Sequence, residues 1–373
     1  MKKINIFLKN FKNFSTSERK RTIKDFSSHN SIVVLKTFVT SLILIFTFFM
    51  LPLVQEFAKE KTLLTKEFHN KSKNKFISEI EGDSENANSK IDGDLVSDKD
   101  LFADVIELND LPSDTVRLNA STIDQLFKDT KYNLKDVRKK KLVKPVSLSL
   151  LPGEMKMIES TKRRKDLFIQ IILPLVIKEN NYIRLDRRKL FSILNKSNNT
   201  QKEKKWLQNK FKQYGVSNKD VSTLKVRMDE IPTSLAIAQA AKETGWGTSR
   251  FAQEGNALFG QWTWTGEGIK PAGADDNETH KVMKFKVLQA SVRAYQRNLN
   301  THKSYRTFRK VRAELRDQKK PLNSLLLSKY LDKYAETGDE YVKILQQIIK
   351  QNQLTDFDDA KLLPSSLELE SLI

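Results

Sequence analysis

Glu243 is the single acidic side chain in an apolar run that ends at a tryptophan, and a carboxyl so placed suits acid catalysis. In Ile231–Trp264, IPTSLAIAQAAKETGWGTSRFAQEGNALFGQWTW, Pro232 suits a first helical turn and Gly245 a C-terminal stop. The stretch predicts a helix closing just after Glu243. Leu235, Ile237, Ala238 and Ala241 make it apolar nearly all round, which predicts burial. The partial negative charge at a helix C-terminus disfavours an ionised carboxylate, and desolvation by Trp246 acts in the same direction. Both effects raise the pKa, as required of a general acid that keeps its proton near neutral pH. An equally simple reading makes Glu243 a cap or an ion-pair partner of Arg250. Trp246, Trp262 and Trp264 also have two readings, as core packing or as stacking platforms for sugars beside a cleft.

The elements that must position this acid read as mostly helical. TIDQLFKDTKYNL predicts a short amphipathic helix, and VRKKKLVKPVSLSLLP a basic, proline-punctuated segment. DLFIQIILPLVIKENNYI carries an apolar stripe at Phe168, Ile171, Ile172, Leu175, Val176 and Tyr182, with Pro174 as a kink. RLDRRKLFSIL and EKKWLQNKFKQYGV predict two further helices, the second with Trp206, Leu207, Phe211 and Tyr214 on one face; the lysines and arginines between read as solvated faces. Beyond the central stretch, ASVRAYQRNLN, YRTFRKVRAELR, LNSLLLSKYLDKY and DEYVKILQQIIKQN predict four more, the last capped by Asp339. Between Thr265 and Lys286 glycines and Pro271 mark a loop, and alternating KVMKFKV marks a short strand or hairpin arm. No internal repeat is visible.

Composition narrows the chemistry. The 373 residues contain no cysteine, which excludes disulfides, thiol nucleophiles and cysteine-held metals. The four histidines form no HExxH or paired-ligand spacing, and no phosphate-cradling or dinucleotide glycine pattern occurs. No metal and no cofactor is expected. The formal net charge of +20 favours a polyanionic partner such as nucleic acid, anionic lipid or acidic cell wall, but no nucleic-acid motif accompanies it.

The N-terminal third predicts a tether. Residues 1–36 are basic, and Thr37–Val54 (TFVTSLILIFTFFMLPLV) carry no charge and would reach roughly 27 Å as a helix. With a long basic leader and no A-x-A site, this predicts an uncleaved, single-pass anchor with residues 1–36 in the cytoplasm. Residues 55–120 read as a flexible extracytoplasmic linker, 121–355 as the catalytic domain with a helical N-terminal part, and 356–373 as a tail.

The segment AQAAKETGWGTSRFAQEGNALFGQW resembles the motif of the bacterial Bax-like glucosaminidases, family-73 glycoside hydrolases that cut peptidoglycan. The likeness runs from about Tyr132 to Lys350, through VRMDEIPTSLAIAQA, SVRAYQRNLNTHKSYRTFR and YAETGDEYVKIL. It implies a mainly α, lysozyme-like catalytic domain with one small β element. It also implies that the bond cut is the β-1,4 linkage after N-acetylglucosamine in peptidoglycan glycan strands. Residue by residue, Glu243 matches the general acid. Asn256, Leu258, Phe259 and Gly260 match a turn that shapes the cleft floor, with Gln261, Trp262 and Trp264 following it as substrate contacts. Tyr334 matches a tyrosine near the acid, and Tyr341 a later, structural aromatic.

One departure stands out. Many members carry a second glutamate two residues before Phe285, where this chain has Met283. Glu278 is the nearest acid, with Glu267, Asp275 and Asp276 further along the loop. Either a loop acid supplies the second carboxylate, or the substrate's N-acetyl group assists and Glu243 works alone. The expectation is thus a peptidoglycan hydrolase of the inner membrane with its domain on the periplasmic side. Its rivals are a non-catalytic wall-binding protein of the same fold and a lytic transglycosylase, which also needs one acid.

Overall fold

The computed structural model describes residues 101–109, 116–263, 268–270 and 281–364, with backbone alone at 262–263. The expected span Thr37–Val54 lies outside them, as do Trp264, Glu267, Asp275, Asp276 and Glu278. Among the described residues no helix is long and apolar enough to cross a membrane.

The described chain is mainly helical, as expected. Its central element is α4 (Thr161–Leu194), preceded by α1 (Ala103–Asn109), α2 (Ala120–Asp129), α3 (Leu134–Lys140) and β1 (Leu142–Val143). Ser160 caps α4 by accepting from the Arg163 amide, and the helix runs on through Pro174. Its buried run Leu167–Ile177 forms the floor of the main core. RLDRRKLFSIL is therefore the last third of α4 and not a separate helix. Burial changes there from all faces to one side, without a break in the backbone.

Next come α5 (Gln201–Gln213), α6 (Val221–Arg227), α7 (Thr233–Thr244) and α8 (Arg250–Gly255). The expected apolar face of α5 packs Phe211 and Tyr214 with Ile183, Leu190, Leu224 and Met228 in a second core. α7 is the helix that carries Glu243, and its small side chains let it lie against α4. β2 (Trp262–Thr263), β3 (Gly268–Ile269) and β4 (Lys281–Met283) follow. The arm expected from KVMKFKV is β4, the centre of an antiparallel sheet ordered β2–β4–β3, with Trp262 opposite Val282 and Gly268 opposite Met283. The chain then forms α9 (Leu288–Thr301), α10 (Arg306–Asp317), α11 (Ser324–Leu327), α12 (Asp339–Gln351) and β5 (Lys361–Leu362). Asp339 opens α12 as its first residue, and the cap position belongs to Gly338.

Two expected boundaries shift. Residues 103–109, assigned to the linker, form α1, whose Val105 is buried with Phe285, Val287, Ala290 and Ala294. Part of the stretch read as a tail is built into the fold. Phe357 is buried, β5 pairs in parallel with β1, and Asp358 reaches the start of α7. Pro232 gives α7 no side-chain cap; the Asp358 carboxylate accepts from the Ser234 amide and hydroxyl, both at 2.8 Å. A helix N-terminus leaves unpaired N–H groups, and here a residue from the far end of the domain satisfies one.

The loop leading into α7 is clamped by charge. Asp229 is buried, and Arg316 reaches its carboxylate at 3.0 and 3.2 Å. Arg312, with no exposed surface, donates to the carbonyls of Val226, Asp229 and Glu230. Asn180 brackets Ile231, donating to its carbonyl at 2.8 Å and accepting from its amide at 3.2 Å. Arg187, in a segment read as a solvated face, donates to the Met228 carbonyl at 2.8 Å.

Candidate active site

Glu243 lies in the last turn of α7, half-buried, where the sequence places it. The helix stops because Gly245 adopts φ +57°, and the amides of Gly245 and Trp246 both turn back to the Ala241 carbonyl. Thr244 tightens the exit: its hydroxyl donates to the Ala240 carbonyl at 2.6 Å and accepts from the Gly247 amide at 2.9 Å. Trp246 itself has φ +62°, a costly conformation for a bulky residue. Its ring is held edge-to-face against Phe168, with Lys165 over it at 4.9 Å. Those contacts anchor the turn to α4, and the groups identified at the carboxyl are others.

At Glu243 the neighbours are Tyr341 and the Gly260 turn. The Tyr341 hydroxyl, from α12, neighbours the Glu243 carboxyl and acts on its pKa. A Cβ on Gly260, which has φ +60°, would lie 3.4 Å from Glu243 Oε2, so this glycine lets the backbone pass close to the acid. Burial pushes the Glu243 carboxyl above its ordinary range; Tyr341 and Lys242 partly offset this. The raised pKa agrees with expectation. Among the described residues Glu243 has no ion pair, and Arg250 instead donates to the Lys270 carbonyl at 2.6 Å.

The two tyrosines both act on Glu243 and differ in the partners of their hydroxyls. Tyr334, expected beside the acid, donates to the Phe259 carbonyl at 2.8 Å and so holds the turn. The Tyr341 hydroxyl accepts from the Gln239 amide at 3.0 Å and neighbours Glu243. The rings stack at 5.5 Å with an interplanar angle of 8°, so they form one layer with different polar ends.

The turn residues divide likewise. Asn256, a C-cap with φ +50°, is buried, and its amide donates to the carbonyls of Phe285 (2.8 Å) and Lys286 (3.2 Å). Phe259 is buried and stacked on Tyr295 at 3.8 Å. Neither is open to a substrate; both fix the turn that presents Gly260 and Gln261, which are half-buried. The Gln261 carbonyl accepts from the Met283 amide at 2.8 Å, which joins the turn to the sheet. Trp262 enters β2, while Trp264 and Glu278 lie outside the described residues.

Sequence reasoning passed over Gln239. It lies one turn before Glu243 on the same face of α7 and is fully buried, and its amide bonds both Tyr341 and Tyr295. The signal was present: a lone amide within the apolar run Leu235–Ala241 must find partners for both its ends.

Comparison with known proteins converges on this site. Residues 219–354 match the glucosaminidase family model, described as mannosyl-glycoprotein endo-beta-N-acetylglucosaminidase. That span contains Glu243, Gly260, Tyr334 and Tyr341. Protein bax of Escherichia coli (strain K12) is 32% identical over 211 residues, which cover 55% of this chain and 75% of that protein. No solved structure matches. The acid-bearing helix, its turn and its tyrosines all fall within the shared segment, and on that identity over three quarters of the relative the chain belongs to the bacterial Bax-like glucosaminidases, a peptidoglycan-related family of glycoside hydrolases.

Proposed function

We propose that the protein cleaves the β-1,4 bond after N-acetylglucosamine in peptidoglycan, with Glu243 as the general acid. The observation that carries this reading is a half-buried carboxyl with a raised pKa, free of any ion pair among the described residues, facing a glycine-lined turn. Such a group holds its proton to a higher pH than a solvated carboxyl does and can deliver it to the leaving glycosidic oxygen. Acids in 264–267 and 271–280, Glu278 among them, remain candidates for a second carboxylate, and assistance by the substrate's N-acetyl group is the alternative.

Thr37–Val54 supports a single-pass inner-membrane anchor, which would place the domain on the periplasmic side, against an anionic wall that suits the +20 charge. Met283, where many members carry glutamate, favours the rival reading of a non-catalytic wall-binding protein. One experiment separates them. Full-length protein is incubated with purified sacculi, and the released sugar ends are identified by mass spectrometry. Reducing N-acetylglucosamine ends support the proposal, anhydro-muramyl ends identify a transglycosylase, and binding without new ends identifies the scaffold. Glu243→Gln should lower the rate by about 10²–10⁴-fold. Equal clearing by that variant and the wild type would sink the assignment.

A further inference from the structure

We propose that Gln239 is a positioning residue that, held by Tyr295, aims the Tyr341 hydroxyl proton at Glu243. This rests on the reading of Glu243 as the acid and adds the device that orients it. The Tyr295 hydroxyl donates to Gln239 Oε1 at 2.7 Å, and Gln239 Nε2 donates to the Tyr341 hydroxyl at 3.0 Å. The Tyr341 oxygen is thereby used as an acceptor, which leaves its proton for the neighbouring Glu243 carboxyl. All three side chains are buried, at 0–1% exposure, so an alternative arrangement cannot be repaired by bulk water.

Polarity is what matters in this chain. With the Gln239 amide reversed, its oxygen would take the Tyr341 proton. The Tyr341 oxygen would then accept the proton of Glu243, turning the acid inward, away from a leaving group. The Tyr295 proton would also lose its acceptor in a buried site, which costs on the order of 1–3 kcal/mol. Tyr295 thus selects the amide orientation, and the orientation selects which way Tyr341 points. In the observed sense, Tyr341 stabilises the carboxylate left after proton donation and limits how far burial raises its pKa.

The described groups acting on Glu243 are few. Lys242 lies on its own helix; Tyr295 comes from α9, Tyr305 from the turn after α9, Tyr334 from the turn before α12, and Tyr341 from α12. Burial holds all four tyrosines above their ordinary pKa, so they stay neutral through the working range. The alkaline limb of the pH–rate profile therefore reports Glu243.

The test is that profile, measured with full-length protein on solubilised glycan strands, alongside thermal melting. In Tyr341→Phe the alkaline limb should move up by about one pH unit, the scale of one lost hydrogen bond to an ionised group. kcat should fall with KM little changed. Gln239→Met should shift the limb in the same direction, and the double variant should match Tyr341→Phe alone, because both act through one proton. If Gln239→Met fails to fold, Tyr295→Phe, which removes only the distal hydroxyl, should give a smaller shift of the same sign. Melting losses that add, with limbs coincident with the wild type, would overturn the proposal and leave these residues as packing. Glu243→Gln keeps the two ideas apart. An inactive Glu243→Gln with an unmoved limb in Tyr341→Phe removes the relay alone; an active Glu243→Gln removes the acid assignment and the relay with it.

Discussion

At its start α7 is gripped by ionised groups, and at its end by neutral ones. Arg312 and Arg316 hold Asp229 and the carbonyls of the preceding loop, and Asp358 holds the first turn. At the other end Glu243 meets Tyr341, which is backed by Gln239 and Tyr295. On the proposed reading of Glu243 as an acid, the contrast follows from what each end does. An ion pair fixes backbone in one place but also fixes the charge of its members: the basic neighbours of Asp229 hold its carboxyl below the usual range despite burial. An acid that must give up and regain a proton is better placed among donors that carry no charge. Burial can then raise its pKa without an arginine to pull it down.

The largest way to break this contrast is Arg312→Met. It leaves the buried Asp229 with one cationic partner fewer, and cutting such a pair costs about 3–5 kcal/mol. Urea unfolding should show that loss, while the residual folded enzyme keeps the wild-type alkaline limb. A shift in the limb would mean that the two ends are electrostatically coupled.

A smaller effect comes from Asp358, whose carboxyl burial pushes up to about 6 from 3.8. A folded-state pKa above the unfolded value means that the folded protein binds this proton more tightly. The resulting stabilisation is complete below pH 3.8 and is lost as pH rises through about 6. For a partly exposed group the loss is roughly 2 kcal/mol. Asp358→Asn should flatten the fall in melting temperature between about pH 4 and 7; an unchanged slope would assign the titration elsewhere.

Smallest is Tyr334→Phe, which deprives the Phe259 carbonyl of its donor and should cost about 1 kcal/mol in unfolding free energy. Activity should fall modestly through the loosened turn. Complete loss of activity in a folded variant would give Tyr334 a direct part in the chemistry.

The acid-bearing helix was legible because local signals agree there. Small apolar residues predict burial, and Gly245 marks the stop that the structure uses. The bond of Tyr334 to the Phe259 carbonyl and of Tyr341 to Gln239 was not legible, because each depends on where a ring's hydroxyl comes to lie after the helices have packed. Tyr341, Leu345 and Ile349 do share the buried face of α12, but a helical stripe shows burial and not the target of a hydroxyl. The clamp at Asp229 escaped notice for a related reason. Arg312 sits in YRTFRKVRAELR among other basic residues, and only the folded arrangement separates the buried Arg309 and Arg312 from the exposed Arg306 and Lys310. The single helix α4 was divided in the sequence reading because burial changes along it, although no glycine or proline interrupts the chain near Arg184.

The reach of Asp358 back to Ser234 has a consequence for how the protein is made. Those residues are separated by 124 positions, and β5, just beyond Asp358, must find β1 from near the start of the domain. During synthesis the first turn of α7 therefore stays uncapped until nearly the whole domain has left the ribosome. A contact of such sequence separation also forms late on entropic grounds. A prematurely terminated chain would carry Glu243 on a helix missing its cap, so the site would stay unfinished until the last residues of the domain are made.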